Sequence, residues 1–387
     1  MPGKWDWLKD ELRASGLAGA APLVLRFISG RLRGPDDLLK CALCPNMCRH
    51  ACPVGIVDGS ETTSPAGKAR VALLIREGRL KPTRENASPL YACLSCNACS
   101  VWCPFGFSVT DLLRPVREKA ADGGMVFEEF KEVFKNLEEH GYVYGKPGDR
   151  IQGAHSGDVL YLGGCTLREK YPGLGAKATR VLERLGYQPF SIDEACCGIP
   201  AYNLGNTSLF KKLAMDQAGR INSSRAKTVV ASCPSCVYAY RVLYPEHGVK
   251  IKPEVYHMAE FLEGRVSGLK GRGRVVLHDP CKLALNLGRP QVLRSILSGV
   301  EGLEAREPRR CGRETFCCGY GGSAVPRLNS ELAHRVALER GRELAEEAET
   351  IVTACPTCKL AFESNGFKAL DIVELLNSLM EEGECSR

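Results

Sequence analysis

The sequence predicts an α+β multidomain protein, in which a mostly helical N-terminal region is followed by two tandem α/β units with parallel sheets. From residue 158 onwards, short apolar runs typical of buried strands alternate with segments of helical periodicity. A pattern of five cysteines occurs twice in this part, which indicates an internal duplication of about 120 residues. We expect four segments, at residues 1–40, 41–150, 151–268 and 269–387.

The first segment, residues 1–40, has helical and amphipathic character. Trp5, Trp7, Leu8 and Leu12 fall on one side of the predicted helix, and a second apolar segment follows. Two interpretations remain open for this segment. It is either a cap that packs over the next domain or a docking surface for a membrane or electron-transfer subunit.

Composition restricts the class of protein. Of the 387 residues, 44% are hydrophobic and 25% charged, as in ordinary soluble globular proteins, but 20 are cysteine. The chain opens on charged residues rather than on a signal peptide, and its longest apolar stretch, residues 17–25, is too short to span a bilayer. We therefore expect metal ligation in a reducing cytoplasm rather than disulfides, with any membrane association supplied by a partner subunit.

The formal net charge of +7 counts every cysteine as neutral. Thiolates bound to a cluster are anionic, so the metal-loaded protein is less basic than this value indicates. No run of lysine and arginine is interleaved with aromatic residues, and we therefore predict no binding to nucleic acid.

Eight cysteines in the second segment form two runs, each closed by Cys-Pro. The runs are Cys41-x2-Cys44-x3-Cys48-x3-Cys52-Pro53 and Cys93-x2-Cys96-x2-Cys99-x3-Cys103-Pro104. The second run has the spacing of bacterial ferredoxins, in which three close thiolates hold one cubane and the distant fourth serves the other. We assign one [4Fe–4S] cluster to Cys41, Cys44, Cys48 and Cys103, and another to Cys93, Cys96, Cys99 and Cys52. The first run has one extra residue before Cys48, and two four-cysteine zinc sites are the alternative.

The remaining secondary structure follows from periodicity and breakers. Helices are predicted over residues 66–78 and 126–137, before a Gly/Pro/Asp-rich boundary at 145–153. Strands are predicted over 158–162, 228–232, 274–278 and 350–354, and a helix over 176–185. A long helix over 328–348 is dense in Glu and Arg at helical spacing, which predicts a solvent-exposed face with i,i+4 pairs.

The duplicated pattern holds ten cysteines. They are Cys165, Cys196, Cys197, Cys233 and Cys236 in the first copy, and Cys281, Cys317, Cys318, Cys355 and Cys358 in the second. The steps from the first cysteine to the pair and on to Cys-Pro-x-Cys are 31 and 37 residues, then 36 and 38. Two adjacent cysteines suit a centre with several iron atoms better than one small ion, and the glycines that follow let the backbone approach it. The cysteines sit at the carboxyl ends of strands, where α/β folds place ligands.

These motifs also have other interpretations that involve no iron–sulfur cluster. Each Cys-Pro-x-Cys follows a strand and precedes a helix, as in redox-active dithiols, and the two pairs together would suit a shared zinc ion. Gly319 to Gly322 is a weak phosphate-loop signal because no Lys-Ser/Thr follows. His278 and Asp279 flank Cys281 and either supply protons and hydrogen bonds to the site, or His278 is a buried histidine whose hydrogen bonds go to the backbone. Cys311 and Cys385 lie outside both sets.

The duplicated Cys-x(about 30)-Cys-Cys-Gly-x(about 35)-Cys-x-x-Cys pattern resembles the cysteine-rich CCG domain of heterodisulfide reductases and related iron–sulfur oxidoreductases. The order of parts, over about residues 38–380, resembles the fused catalytic subunit of heterodisulfide reductase. The resemblance implies a noncubane [4Fe–4S] cluster in each repeat, held by the five cysteines of that repeat. It also implies reductive cleavage of a thiol disulfide, of the coenzyme M–coenzyme B type, between the two noncubane clusters, which two cubanes supply with electrons.

Iron–sulfur subunits of glycolate and lactate oxidases share this architecture, but several have lost the final Cys-x-x-Cys of a repeat. Both repeats are complete here, which favours disulfide reduction over electron transfer alone. The alternative is an electron-transfer subunit of a glycolate, lactate or glycerol-3-phosphate dehydrogenase complex, and a zinc-stabilised scaffold is a third interpretation. The chain has no flavin or dinucleotide fingerprint, so we expect an electron-donor subunit, either a flavoprotein or a b-type cytochrome.

Overall fold

The computed structural model describes residues 36–147 and 156–385. Nearly all of the predicted N-terminal cap or docking segment, and residues 148–153 of the predicted boundary, lie outside the described residues. In the ranges that are described, no helix is both long enough and apolar enough to cross a membrane.

Residues 36–147 are helical, as their periodicity predicts. The helices are α1 (Asp37–Leu43), α2 (Pro53–Asp58), α3 (Pro65–Arg76), α4 (Arg84–Tyr91), α5 (Ala98–Val101), α6 (Val109–Asp122) and α7 (Glu128–His140), with a 3₁₀ turn at Arg49–Ala51. Helix α3 begins where Ser64 accepts a hydrogen bond from the Gly67 N–H, with Pro65 in the first turn. The predicted helices over 66–78 and 126–137 correspond to α3 and α7.

The first α/β unit is a parallel sheet of four strands in the order β2-β1-β3-β4. The strands are β1 (Val159–Leu162), β2 (Pro189–Phe190), β3 (Thr228–Ala231) and β4 (Glu254–His257). The helices are α8 (Cys165–Lys170), α9 (Pro172–Arg184), α10 (Ile199–Leu204), α11 (Thr207–Ser223), α12 (Pro234–Tyr238), α13 (Tyr244–Glu246) and α14 (Met258–Leu262), with a π-helical segment at Ala239–Leu243.

The second unit repeats this topology, with the strand order β6-β5-β7-β8 and parallel pairing throughout. The strands are β5 (Leu269–His278), β6 (Val300–Arg306), β7 (Thr350–Thr353) and β8 (Lys368–Asp371). The helices are α15 (Val292–Leu297), α16 (Ala324–Leu328), α17 (Ser330–Ala345), α18 (Pro356–Glu363) and α19 (Ile372–Cys385), with a π-helical segment at Lys282–Asn286 and a 3₁₀ turn at Gly312–Glu314. The duplication read from the cysteines is therefore a duplication of the fold.

The two faces of the first sheet pack against different partners. Because side chains alternate along a strand, Leu160 and Leu162 point to one face and Val159 and Tyr161 to the other. The first pair belongs to a core shared with the helical region, and the second to a core shared with the second unit. All four side chains of β1 are therefore buried.

The helix predicted over residues 328–348 corresponds to α17, which begins after Asn329, whose side chain accepts from the Leu332 N–H. The prediction that its polar face is exposed to solvent is wrong in part. One stripe of α17 is buried, and it includes Arg340 at 0% exposure and Glu343 at 9%. The spacing of Glu and Arg indicates a helix but does not show what packs against it.

Candidate functional site

Cys41, Cys44, Cys48 and Cys103 line one cavity in the helical region, which we call the outer site. The extra residue before Cys48 is accommodated at Asn46, which adopts a left-handed backbone conformation with φ of 70°. The Asn46 side chain accepts from the Ala66 N–H and donates to Glu61, so the turn is held against α3. The longer spacing therefore still brings Cys48 to the same cavity.

Cys52, Cys93, Cys96 and Cys99 line a second cavity, which we call the inner site. Cys52 precedes α2 and its sulfur accepts from the Gly55 N–H at 3.4 Å. Each cavity therefore brings the three close thiols of one run together with the closing thiol of the other run, and Cys99 lines both cavities. The division into two sets of four ligands stays a prediction from the ferredoxin spacing.

The chemistry of these cavities fits a metal cluster. Burial, with repulsion from Cys48 and Cys44, raises the pKa of Cys41 to about 12, and burial with repulsion from Cys52 and Cys103 raises that of Cys48 to about 11. Several buried thiols cannot all ionise next to one another unless a cation compensates their charge. Iron bound to the thiolates supplies that compensation.

A lysine that the motif analysis missed lies beside the inner site. Lys68 is only 2% exposed, and its ammonium donates to the Cys52 sulfur at 3.7 Å. It occupies the otherwise small-residue, buried side of α3, which includes Ala66, Ala69 and Ala72. A lysine on the apolar face of a predicted helix could have indicated this contact, because lysine is almost never fully buried without a partner.

The first five-cysteine site consists of Cys165, Cys196, Cys197, Cys233 and Cys236. Neighbouring thiols contact one another in the order Cys165–Cys196–Cys197–Cys236–Cys233. Cys165 begins α8, the adjacent pair precedes α10, and Cys233 and Cys236 lie at the start of α12. Contacts with its neighbours Cys196 and Cys236 hold the pKa of Cys197 well below its usual range.

The second five-cysteine site repeats this order with Cys281, Cys317, Cys318, Cys358 and Cys355. The sulfurs of Cys281 and Cys317 are 3.7 Å apart, and the remaining contacts follow the sequence Cys317–Cys318–Cys358–Cys355. Cys318 again has the depressed pKa, caused by contacts with Cys317 and Cys358. The two sets are therefore alike in geometry as well as in spacing, and each Cys-Pro-x-Cys pair joins its own Cys-Cys pair.

The glycines near these sites have different roles. Gly164 lies against the first five-cysteine site, where a Cβ atom would be 3.0 Å from the Cys233 Cβ and 3.4 Å from the Cys236 sulfur. Gly198 and Gly319, which follow the two cysteine pairs at positive φ, instead pack closely against helices α11 and α17. These two glycines therefore allow close packing against the two helices, and the Gly198 N–H also donates to the Cys196 sulfur at 3.5 Å. Their role in bringing the backbone close to a metal centre stays a prediction.

The inner site adjoins the second five-cysteine site. Cys96 contacts Cys317, and this contact lowers the pKa of Cys96 to about 7. Asn286 ties the two sites together, since its amide donates to the backbone carbonyls of Cys96 at 3.1 Å and Cys281 at 3.3 Å. Nothing in the local sequence pattern indicated this junction, because it joins residues about 190 positions apart.

The two five-cysteine sites also lie near each other. The thiol of Cys355 is close enough to that of Cys233 for their charges to interact. Beside them the hydroxyl groups of Thr166 and Thr357 approach to 3.3 Å, and Tyr144 lies 3.4 Å from Thr166. The carboxyl ends of the two sheets thus face a common region lined by hydroxyl groups and thiols.

The residues named as possible helpers divide into two kinds. Asp279 is structural, since it pairs with Arg294 at 2.7 Å and accepts from the Gly312 N–H. His278 is fully buried and lies against Cys318, with Arg340 rather than a backbone group as its hydrogen-bond partner. Cys311 is half-buried outside both five-cysteine sites.

Comparison with known proteins agrees with this division. Residues 37–107 match the family model of the 4Fe-4S dicluster domain, and residues 159–240 and 275–363 match that of the cysteine-rich domain called CCG. Among solved structures, a hypothetical protein from Helicobacter pylori has a TM-score of 0.52 at 10% identity, covering 81% of this chain and 68% of that chain. That likeness concerns the fold alone.

Curated relatives cover between about half and nearly all of this chain. A subunit of the fumarate reductase (CoM/CoB) of Methanothermobacter marburgensis is 27% identical over 96% of this chain and 78% of that protein. A subunit of the dihydromethanophenazine:CoB–CoM heterodisulfide reductase of Methanosarcina acetivorans is 28% identical over 71% of this chain and 72% of that protein. Lactate utilization protein A of Halalkalibacterium halodurans is 28% identical over 54% of this chain and 91% of that protein.

The dicluster domain and the two cysteine-rich domains support [4Fe–4S] clusters as the cofactors, and the four groups of cysteines fit them. The fumarate reductase and heterodisulfide reductase relatives are named as reductase subunits, which supports an oxidoreductase role for this chain. The chain therefore belongs to the CCG-domain iron–sulfur oxidoreductases, in the arrangement that joins one 4Fe-4S dicluster domain to two cysteine-rich domains.

Proposed function

We propose that this protein is the catalytic subunit of a heterodisulfide reductase-like complex and reduces a thiol disulfide between the two five-cysteine sites. The single observation that carries the proposal is that both sites are complete, share one thiol order and face each other across Cys233 and Cys355. A protein that only conducts electrons needs one path, whereas cleavage of a disulfide produces two sulfur fragments that must both be held.

The contacts between sites support an electron path. The outer and inner sites share the region around Cys99 and Cys48, since Cys99 lines both cavities and Cys48 lies near Cys52. From the inner site, the contact of Cys96 with Cys317 leads to the second five-cysteine site. We propose that electrons follow this order, from the outer site to the inner site and then to the second five-cysteine site.

The overall reaction is the cleavage of one S–S bond by two electrons and two protons, which gives two thiols. Bound [4Fe–4S] clusters would supply one electron each and iron on which sulfur can bind, and we expect those of the five-cysteine sites to be of the noncubane type. The ten cysteines of these sites would hold the metal, and Thr166, Thr357 and Tyr144 line the region where the substrate would lie. Packing of the two units against each other holds the two sites at a set separation.

The contacts between the units are extensive enough for that role. Helix α9 of the first unit packs against α19 of the second, with Lys177 3.4 Å from Glu374. The Tyr171 hydroxyl group donates to Glu363 of α18. A preformed region between two such units orients both halves of a disulfide without further motion of the chain.

We infer that the partner is an electron-donor subunit, a flavoprotein or a b-type cytochrome, and that the protein works in the cytoplasm, with any membrane association through that partner. What supports this is that the relatives are named as subunits and that no cysteine among the described side chains forms a disulfide. We propose no nucleic-acid partner.

The first test counts iron and acid-labile sulfide on anaerobically purified protein. Four clusters give about 16 iron atoms per chain, whereas about 8 would leave the five-cysteine sites without clusters and contradict the proposal. Reduced protein is then mixed with coenzyme M–coenzyme B heterodisulfide or bis(2-hydroxyethyl) disulfide, and reoxidation and free thiol are followed. We expect two thiols formed for each disulfide consumed.

Variants separate chemistry at the two sites from general damage. Cys197→Ala and Cys318→Ala should each abolish thiol formation while the electron paramagnetic resonance signals of the outer and inner sites persist. Cys311→Ser, which alters a cysteine outside both sites, should behave as the wild type. Thiol formation that survives in either alanine variant would refute catalysis at the paired sites.

A second candidate function is electron transfer for a dehydrogenase complex, and the similarity to lactate utilization protein A and to the EtfAB:quinone oxidoreductase of Syntrophomonas wolfei favours it. The chain covers 46% of the latter protein. In this case the reduced protein would not be reoxidised by disulfides. It would pass electrons to a quinone in the presence of its partner, with no thiol formed.

A further inference from the structure

The two five-cysteine sites differ in one buried side chain that neither the cluster ligation nor the proposed reaction explains. His278 is the last residue of β5 and lies three positions before Cys281. In the first unit, Leu162 ends β1 and lies three positions before Cys165. The same place in the duplicated fold therefore holds an imidazole beside one site and an aliphatic side chain beside the other.

The tautomer of His278 follows from its partner. The Nε group of Arg340 donates to His278 Nδ1 at 3.3 Å. Because a guanidinium group can only donate, Nδ1 must act as the acceptor and the ring proton resides on Nε2. The imidazole also lies edge-on to Phe362, with ring centroids 4.8 Å apart, so its orientation is restricted from two sides.

The protonated nitrogen is the one without a conventional partner. Nε2 of His278 is buried and has no hydrogen-bond partner among the atoms of the described residues. The ring contacts Cys318, and one of its nitrogens lies within 4.8 Å of the sulfurs of both Cys318 and Cys358. A buried donor without an acceptor costs free energy of folding. A sulfur atom at this site is therefore the natural acceptor for the Nε2–H group.

The residues behind His278 hold it in place. Arg340 is itself fully buried and pairs with Glu343 at 2.7 Å, and Glu343 also accepts from Arg310 at 2.8 Å. Because Nδ1 accepts the hydrogen bond from Arg340, it carries no proton, and the ring is neutral. A neutral imidazole with a fixed tautomer donates one hydrogen bond and does not change its charge.

The first site has the opposite kind of neighbour. Glu194, two residues before Cys196, is 8% exposed, and its carboxylate accepts from the Gly164 N–H at 2.9 Å. Thr315 takes this position before Cys317 in the second unit. A carboxyl group beside the first site and a hydrogen-bond donor beside the second make their electrostatic surroundings unequal.

We propose that the Nε2–H group of His278 donates a hydrogen bond to the Cys318 sulfur and so makes the second five-cysteine site the easier of the two to reduce. Hydrogen bonds to cluster sulfurs stabilise the reduced, more negative state and are an established determinant of potential. The inner site contacts the second five-cysteine site through Cys96 and Cys317. The first of the two five-cysteine sites to receive electrons is therefore the one with the histidine hydrogen-bond donor. The inference rests on the proposed function for the direction of electron flow, but the effect on potential does not depend on it.

The test is an anaerobic redox titration followed by electron paramagnetic resonance, on wild-type protein, His278→Leu and His278→Gln. Loss of a hydrogen bond to a charged group changes an equilibrium constant by about tenfold, which is about 59 mV for a one-electron couple. We expect His278→Leu to lower the midpoint potential of one five-cysteine site by this amount. His278→Gln, whose amide reaches the Nε2 position, should restore most of it, and the inner and outer sites should not change.

Equal potentials in His278→Leu and wild type, or equal shifts in the Leu and Gln variants, would overturn the proposal. If His278→Leu loses iron, His278→Asn replaces it, because the shorter amide reaches only the Nδ1 position. Loss of iron in all three variants would assign His278 a structural or ligand role and would also overturn the proposal.

The titration contains no disulfide, so it separates this inference from the proposed function. A wild-type protein that fails to reduce disulfides while His278→Leu shows the shift would refute the function and leave the inference intact. Wild-type protein that reduces disulfides, together with an unchanged midpoint potential in His278→Leu, would refute the inference and leave the proposed function intact.

Discussion

Replacing Lys68 with methionine is expected to lower the reduction potential of the inner site. Methionine has a similar length and fills the same buried space beside Ala66 and Ala69, so the change removes a charge with little loss of packing. The ammonium group lies 3.7 Å from the Cys52 sulfur and is 2% exposed, so solvent screens the interaction weakly.

The structure sets an upper limit on the magnitude. Two unit charges 3.7 Å apart interact by about 4 kcal/mol at an effective dielectric constant of about 20. An electron added to a cluster is spread beyond the Cys52 sulfur, so its mean distance from Lys68 is greater and the effect is smaller. We expect a decrease of about 50–150 mV in the midpoint potential, at about 59 mV for each factor of ten.

The assay is a redox titration followed by electron paramagnetic resonance, with Lys68→Arg as the matched control that keeps the charge. Iron content and the apparent melting temperature show whether the variant retains its clusters. A tenfold change in the equilibrium constant of reduction corresponds to about 59 mV. A change of less than about 20 mV in the midpoint potential of the inner site, in Lys68→Met protein that retains all its clusters, would therefore refute the electrostatic role. A shift of the outer site larger than that of the inner site would also contradict it.

Three further predictions concern the backbone, the junction and pH. Gly164→Ala should remove one cluster and so lower the iron content from about 16 to about 12 atoms per chain. The reason is that φ of Gly164 is +78° and a Cβ atom would approach the Cys233 Cβ to 3.0 Å. Gly173→Ala is the control, because the space around Gly173 is open, and it should retain all of the iron. Asn286→Ala should lower the free energy of unfolding by about 1–3 kcal/mol, measured in denaturant, because two backbone carbonyls at the junction lose their donor; unchanged stability would contradict this. Burial raises the pKa of Asp371 from 3.8 to about 7, so its contribution to stability is complete below about pH 4 and is lost as the pH rises through 7. Asp371→Asn, which keeps the helix cap, should therefore raise the apparent melting temperature at pH 8 more than at pH 5, and an equal effect at both values would show that Asp371 does not titrate in this range.

Cysteine spacing was a good guide to the sites because it is a property of the chain that the fold preserves. The division of the eight N-terminal cysteines between two clusters follows from a rule about how three close thiolates share a cubane. The carboxyl ends of β1, β3, β5 and β7 are likewise readable from apolar runs that stop at cysteines, and the strands observed end within one residue of the prediction.

Residues that act across long separations could not be read in this way. Arg340 fits the polar periodicity of α17 as well as any exposed arginine, yet it is fully buried against His278, 62 positions away. Lys68 interacts with a cysteine at the start of another helix of the same segment, and Asn286 with a cysteine of a different segment, so both contacts arise only when separate elements pack together. Periodicity reports which face a residue occupies but not which partner covers that face.

The exchange of fourth cysteines between the outer and inner sites has a consequence for how the protein is assembled. Cys52 of the first run lines the inner cavity, and Cys103 of the second run lines the outer cavity. If these two cysteines are the fourth ligands, as we propose, neither run can complete its cluster while the other is unfolded, and we expect cluster insertion during biogenesis to be cooperative. A chain that receives only one cluster has both runs incompletely anchored, and we expect such half-matured chains to be substrates for proteolysis rather than stable intermediates.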